Sequence, residues 1–271
     1  MYLLNFRLIT LCVSSIVLLG ACGSLGPVSS TAPIGSVSAE AAKKPAPRSN
    51  SARAGIGELA RAALTPHPAL SISQQDGVTF RPLKGSQHGL IFYPGGDVVP
   101  EAYAPLARAW ALAGYTVCIP QMPFKRAIFA PNRANDVIKR NPEVKNWVVG
   151  GHSLGGVTAS IFAAQNAKRI AGLFLFAAVP GPLVNLSRDT LPVLTLYGTR
   201  DPRVTLAEVN AEAQRLSQRS RVTAIEGGNH RQFGDYDPDP KDGEASISRA
   251  QQHELIIKAM LEWLKEVWPE R

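Results

Sequence analysis

Apolar residues in this chain cluster in two alternating kinds of run. Short, nearly continuous blocks at residues 78–82, 88–93, 115–119, 146–149, 173–177, 193–197 and 222–225 predict strands covered on both faces, as in parallel sheets. Longer runs at 100–113, 154–167, 206–217 and 249–267 carry helical spacing. In the last of these Ile256, Met260, Trp263, Leu264 and Val267 line one face, and Ser248 with Gln251 forms a capping box at its start. Strand and helix in alternation predict an α/β fold: a doubly wound, mostly parallel sheet of about seven to eight strands with helices on both faces. Between residues 177 and 193 the chain is too short for a helical cap, so no large cap domain is expected over the carboxyl edge of the sheet.

The amino-terminal end breaks this pattern. Residues 8–19 are apolar behind a single charge, Arg7, too short a run to span a bilayer and suited to a signal-peptide core. Leu19-Gly20-Ala21-Cys22 resembles a bacterial lipobox. On that reading residues 1–21 are removed and Cys22 carries the lipid; a plain secretory signal is the alternative. Residues 23–51 are rich in Ser, Ala, Pro and Gly and cannot bury a core, so they predict a tether with a reach on the order of 30 Å. A short helix at 56–63 ends this 22–65 segment, and the globular domain is expected over 66–271. Of the cysteines, Cys12 leaves with the signal, Cys22 is acylated and Cys118 is alone, so no disulfide is expected. The net charge of +8 comes without an aromatic and basic pattern that would read nucleic acid. The expected partner is a membrane, held through Cys22. Gly23 is not an aspartate inner-membrane retention signal, which predicts the outer membrane facing the periplasm in a two-membrane bacterium.

Chemistry concentrates in Gly150-Gly151-His152-Ser153-Leu154-Gly155-Gly156, between a predicted strand and a predicted helix. Glycines on either side let a serine sit in a sharp strand-to-helix turn with its hydroxyl lifted off the sheet. Such a serine needs a base, and the base needs a carboxylate to orient it. Asp201 follows the sixth predicted strand and His230 the seventh, both at loops on the carboxyl side. His152 is expected to pack structurally, since adjacent side chains diverge at the turn; His67, His88 and His253 also read as structural. Two amides are needed for a developing oxyanion. Leu154 supplies one, and Tyr93-Pro94-Gly95-Gly96-Asp97 the other, with Gly96 first and Asp97 next. Asp235, Asp237, Asp239 and Asp242 suit turn chemistry better than cation binding, and no separated His and Cys ligand set occurs. No metal and no cofactor are expected.

The motifs Phe92-Tyr93-Pro94-Gly95-Gly96, Gly151-His152-Ser153-Leu154-Gly155-Gly156, Tyr197-Gly198-Thr199-Arg200-Asp201 and Gly227-Gly228-Asn229-His230-Arg231-Gln232-Phe233-Gly234 resemble the α/β-hydrolase superfamily. Within it they are similar to the bacterial alpha/beta hydrolase fold-5 group related to dienelactone hydrolases, over roughly residues 78–264. The resemblance implies a serine hydrolase that cleaves an acyl bond of a small molecule, above all a carboxylic ester, through an acyl-Ser153 intermediate. A peptidase or acyltransferase on the same three residues, and a catalytically silent envelope lipoprotein, stay open. Dienelactone hydrolases use a cysteine nucleophile, so Ser153 argues against lactones; it also argues against the dehalogenase and epoxide hydrolase chemistries, which use aspartate. Arg200, Arg203, Arg231, Lys125 and Arg126 fall on carboxyl-side loops; they could form a basic rim that favours anionic esters, and the alternative is that they are solvated loop residues, with Arg200 bracing its turn.

Overall fold

Residues 55–269 are described by a computed structural model; the expected signal peptide, Cys22 and the tether lie outside them. Eight strands form one sheet: β1 Leu70–Ser73, β2 Gly77–Pro82, β3 His88–Tyr93, β4 Thr116–Pro120, β5 Asn146–His152, β6 Gly172–Phe176, β7 Val193–Gly198 and β8 Ser220–Ile225. Their order is β1-β2-β4-β3-β5-β6-β7-β8. β1 and β2 are antiparallel, and every pairing from β4 through β8 is parallel. The helices are α1 Glu58–Ala63, α2 Ala104–Leu112, α3 Arg133–Arg140, α4 Leu154–Asn166, α5 Leu206–Ala213 and α6 Arg249–Val267.

Alternate residues of each central strand feed opposite layers. Leu90, Phe92, Val148, Phe174, Phe176, Leu194 and Leu196 share a core with residues of α1, α2 and α6. Ile91, Tyr93, Val149, Leu173, Leu175 and Val193 share the other with α3 and α4. This two-sided burial is why the strands read as unbroken apolar blocks. In the first layer the Phe92 ring meets those of Tyr103, Trp110, Phe174 and Phe176 at centroid distances of 4.6 to 6.3 Å, a well-packed cluster under the carboxyl edge.

The structure departs from the sequence reading in four places. β1 was not expected: it is a four-residue edge strand with one buried residue, Leu70, so its period-2 signal is faint. α3, Arg-Ala-Asn-Asp-Val-Ile-Lys-Arg, buries only Ala134 and Val137, too few to mark a face in sequence. The run at 100–113 divides into a 3-10 turn, Pro100–Tyr103, and α2, with Pro105 in the first turn of α2, the place where a helix tolerates proline. The domain also starts earlier than residue 66. Ile56 is buried and bridges Tyr236, the Gly57 and Ala60 amides donate to the Asp235 backbone and carboxylate at 2.9 and 2.8 Å, and Arg108 donates to the carbonyls of Ala62, Ala63 and Thr65. Residues 56–65 are thus part of the core rather than a leader ahead of it.

Candidate active site

The serine turn is built by close backbone approach. Ser153, between β5 and α4, has φ 51° and ψ −125°, a left-handed conformation that costs a non-glycine residue energy and survives where the surroundings fix it. They do so here through the Ser153 amide, which donates to the Phe176 carbonyl at 2.9 Å. A Cβ on Gly151 or Gly155 would overlap the Tyr93 carbonyl of neighbouring β3, so both glycines serve the packing of the turn against the sheet.

Asp201 follows β7 and is 5% exposed. Its Oδ1 accepts the amides of Arg203 and Val204 at 2.7 and 3.1 Å, which leaves Oδ2 to accept from His230 Nδ1 at 2.7 Å. A carboxylate can only accept, so Nδ1 carries the imidazole proton and Nε2 is free to accept. Nε2 lies 3.0 Å from Ser153 Oγ. The structure therefore brings Ser153, His230 and Asp201 into one hydrogen-bonded line, in the order the sequence suggested.

The loop of His230 is clamped from α6. Buried Gln252 accepts the Asn229 amide and donates to the Asn229 carbonyl, both at 3.0 Å, and Asn229 Nδ2 donates to the Gly243 carbonyl at 2.8 Å. Sequence reasoning missed this clamp. Gln252 stands on the inner face of the amphipathic α6 pattern, and a polar residue at an apolar position was the available signal.

Below the line lies a second polar chain, also unread in the sequence. His152 is 1% exposed. Its Nε2 sits 3.1 Å from the His230 carbonyl and its Nδ1 2.9 Å from Tyr103 Oη, while Tyr103 Oη accepts the Gly95 amide at 2.9 Å. A carbonyl accepts only, so Nε2 must donate; in a neutral imidazole Nδ1 then accepts and the tyrosine hydroxyl donates to it. Burial, reinforced by the adjacent His230, pushes the His152 pKa well below that of a free histidine, consistent with the neutral form. His152 is thus more than packing: it links the His230 backbone to the Gly95 end of the loop after β3.

The amides of that loop differ in their partners. Asp97 N–H is spent on the Lys125 carbonyl at 2.9 Å and Gly95 N–H on Tyr103. Gly96 N–H has no partner among the described residues, and Gly96 lies against Leu154, whose own amide opens α4 with no preceding turn to bond to. Ser153, His230, Leu154 and Gly96 line one cleft of about 390 Å³.

The rim differs from expectation. Arg203 Nε donates to Asp242 at 2.8 Å and its Nη2 reaches Asp239 at 3.4 Å; Arg231 pairs with the same two carboxylates and lies over the Tyr236 ring at 4.9 Å. Arg126 binds Asp97 through two nitrogens at 3.2 and 3.1 Å. The expected basic rim is corrected on this point: three of its five cations are neutralised by carboxylates that lie beside them only in the fold. A larger cleft of about 530 Å³ lies at β2, β4 and α3. There Asp76 is taken by Arg133 and Arg140, and burial pushes the Cys118 thiol up to about 11, so it offers no thiolate nucleophile at neutral pH.

The model of the alpha/beta hydrolase family matches residues 89–254. Among solved structures, the chain resembles a predicted CIB-like hydrolase from Thermoplasma acidophilum (TM-score 0.53, 18% identity, 73% of this chain and 99% of that one). It also resembles Est1E from Butyrivibrio proteoclasticus, solved with ferulic acid bound (TM-score 0.53, 14% identity, 72% and 95%). A third is a membrane phospholipase A described as a bacterial virulence factor (TM-score 0.56, 14% identity, 78% and 90%). At these identities the likeness speaks for the fold. No curated protein matches the sequence.

Proposed function

The chain belongs to the alpha/beta hydrolase family, and on that premise we propose that it is a serine hydrolase acting on small carboxylic esters. The observation that carries this reading is the line Ser153 Oγ, His230 Nε2, His230 Nδ1, Asp201 Oδ2, with spacings of 3.0 and 2.7 Å. Ser153 Oγ attacks the acyl carbon as its proton passes to Nε2. The carbonyl electron pair moves onto oxygen, where the amides of Leu154 and Gly96 stabilise it. The pair then returns, the carbon–oxygen bond to the alcohol breaks, and His230 gives its proton to the departing alkoxide. Water repeats the sequence on the acyl-serine, yielding the acid and the free enzyme. Asp201 holds the imidazole in the required tautomer and stabilises its charged form. Among the described residues no capping domain covers the cleft, which suits short or projecting acyl groups.

A fluorophosphonate probe with the adduct mapped by peptide mass tests the reading. Labelling confined to Ser153 is expected; an unlabelled protein would mark a silent scaffold. Faster turnover of peptide amides than of p-nitrophenyl acetate would move the assignment to a peptidase. We further propose that Cys22 carries acyl chains that anchor the protein in the cell envelope. Cys22→Ser should free the protein from membranes and leave ester turnover unchanged, since stable anchoring needs more than one chain; wild-type protein found wholly in the soluble fraction would exclude the anchor.

A further inference from the structure

Among the described residues Phe80, Phe92, Phe162, Phe174, Phe176 and Phe233 are fully buried, whereas Phe124 and Phe129 are 84% and 59% exposed. These two stand on one loop, between β4 and α3, with Ile128 also exposed. Their rings meet edge to face at 5.7 Å.

This loop is held in shape rather than left slack. Two 3-10 turns, Pro123–Lys125 and Ala127–Phe129, are closed by hydrogen bonds from the Lys125, Arg126, Phe129 and Ala130 amides at 2.8 to 3.2 Å. Met122 and Ala127 are buried and fasten it to the core. Between them Phe124 and Lys125 take φ of 51° and 55°, two consecutive non-glycine residues in the left-handed region. Backbone of that kind persists where its neighbours impose it, and it gathers at ligand clamps and functional loops. The loop is also joined to the cleft: the Lys125 carbonyl accepts from Asp97 and the Arg126 guanidinium pairs with it, next to Gly96.

We infer that the 123–129 loop is a membrane-contact element that seats Phe124, Ile128 and Phe129 in the interface of an anionic lipid bilayer, with exposed Lys125 toward the headgroups. Rings beside a cation suit that boundary, where apolar groups enter the acyl region and a basic side chain meets phosphate. Without residues 1–21 the chain still carries 28 basic and 21 acidic residues, a net charge of +7 that favours the same partner. A second copy of the chain fits less well. A stable dimer buries about 800 Å² per partner, and two aromatic side chains supply about 150 to 250 Å² each. The acyl anchor proposed at Cys22 would bring the same surface within reach. The mouth of the cleft then opens at the lipid, whatever bond the site cleaves.

The test places a tryptophan reporter at Phe124 in the full chain, with Leu83→Trp as control. Leu83 is exposed just past β2, which runs antiparallel to β4 and so ends at the opposite edge of the sheet. With phosphatidylglycerol vesicles the emission that Phe124→Trp adds, after subtraction of the signal of Trp110, Trp147, Trp263 and Trp268 from the parent chain, should move to the blue and lose most of its intensity to brominated acyl chains. Leu83→Trp should do neither, and phosphatidylcholine vesicles should give a weaker effect. Phe124→Ser/Phe129→Ser should turn over a vesicle-embedded ester on the order of tenfold more slowly, since apolar area no longer enters the bilayer, at unchanged rate on p-nitrophenyl acetate. Vesicle-bound protein with an unquenched reporter at 124, equal quenching at 83, or an effect as strong in phosphatidylcholine would overturn the inference. So would a blue shift that needs no lipid and grows with protein concentration, the mark of a second copy. The fluorescence needs no turnover, so failure of the ester reading and failure of this one are separable.

Discussion

The floor and the rim of the cleft solve different problems with similar residues. On the floor Gly95, Tyr103, His152 and His230 form a buried chain in which each contact has one direction, from the Gly95 amide to Tyr103 Oη, from the Tyr103 hydroxyl to His152 Nδ1 and from His152 Nε2 to the His230 carbonyl. On the rim Arg203 and Arg231 share Asp239 and Asp242, each arginine with two carboxylates. Remove one floor hydroxyl and two groups are stranded away from water, at full desolvation cost. Remove Asp239 and both arginines keep buried Asp242, with solvent to cover the rest. Single-solution contacts of the floor hold geometry; the redundant ones of the half-buried rim manage charge.

The largest effects should follow from the line that the floor supports. Ser153→Ala should cut ester turnover by on the order of 10⁴ or more, and the Ser153→Ala/His230→Ala double variant hardly further, because such residues act as a unit. Additive losses in kcat would mean that they do not share a step. Asp201→Asn should cost on the order of 10³ to 10⁴ through the wrong imidazole tautomer; a silent variant would show that another group orients His230.

Acid should act next, and on buried groups first. His253, buried in α6, has its pKa lowered by burial to about 4, and burial depresses that of His152 as well. Below the unfolded value near 6.5 the unfolded chain takes up protons that the folded chain refuses. Stability is therefore highest above that pH and falls as pH drops toward the folded values. His253 alone corresponds to about 3 kcal/mol over that window. Urea midpoints at pH 7.5 and 5 should show the decline, and His253→Gln should shrink it; a pH-independent midpoint would contradict neutral burial of these imidazoles.

Tyr103→Phe probes the floor directly. It leaves the Gly95 amide and His152 Nδ1 without their shared partner, so His230 and the Gly96 amide lose their common support. Misplacement on this scale should lower kcat by roughly 10- to 100-fold while KM stays within about threefold. An unchanged kcat with a lower melting temperature would reduce Tyr103 to a packing residue.

How much of this could be read in advance follows the same division. The serine turn, Asp201 and His230 were legible because each lies at a strand end with glycines or a turn beside it, local signals that survive in one dimension. Gln252, Tyr103 and the role of His152 were not, since their partners stand 23, 8, 49 and 78 positions away and only the fold makes them neighbours. The sheet was legible where strands are buried on both faces, whereas β1 and α3 bury too few residues to leave a period. Residues 56–65 read as a leader because their anchors, Asp235 and Tyr236, come near the other end of the chain.

The smallest effect is expected at the rim, where sequence and structure disagree most. Arginines counted along the chain suggest a field that gathers anionic esters; the fold sets Asp239 and Asp242 against Arg203 and Arg231, and Asp97 against Arg126. Two cations facing two carboxylates leave little net field at the mouth. What Lys125 and Arg200 add from exposed positions is screened beyond about 10 Å at ordinary salt. For a neutral and an anionic ester of equal acyl length, kcat/KM should therefore agree within about threefold at low salt and stay so at high salt. Asp239→Asn unbalances the rim by one charge while Asp242 still holds both arginines. It should open a preference of about two- to threefold for the anionic ester, of the size an exposed charge delivers, which salt removes. A wild-type preference well above threefold that fades with salt would restore the basic rim and show that these pairs orient the arginines without cancelling them.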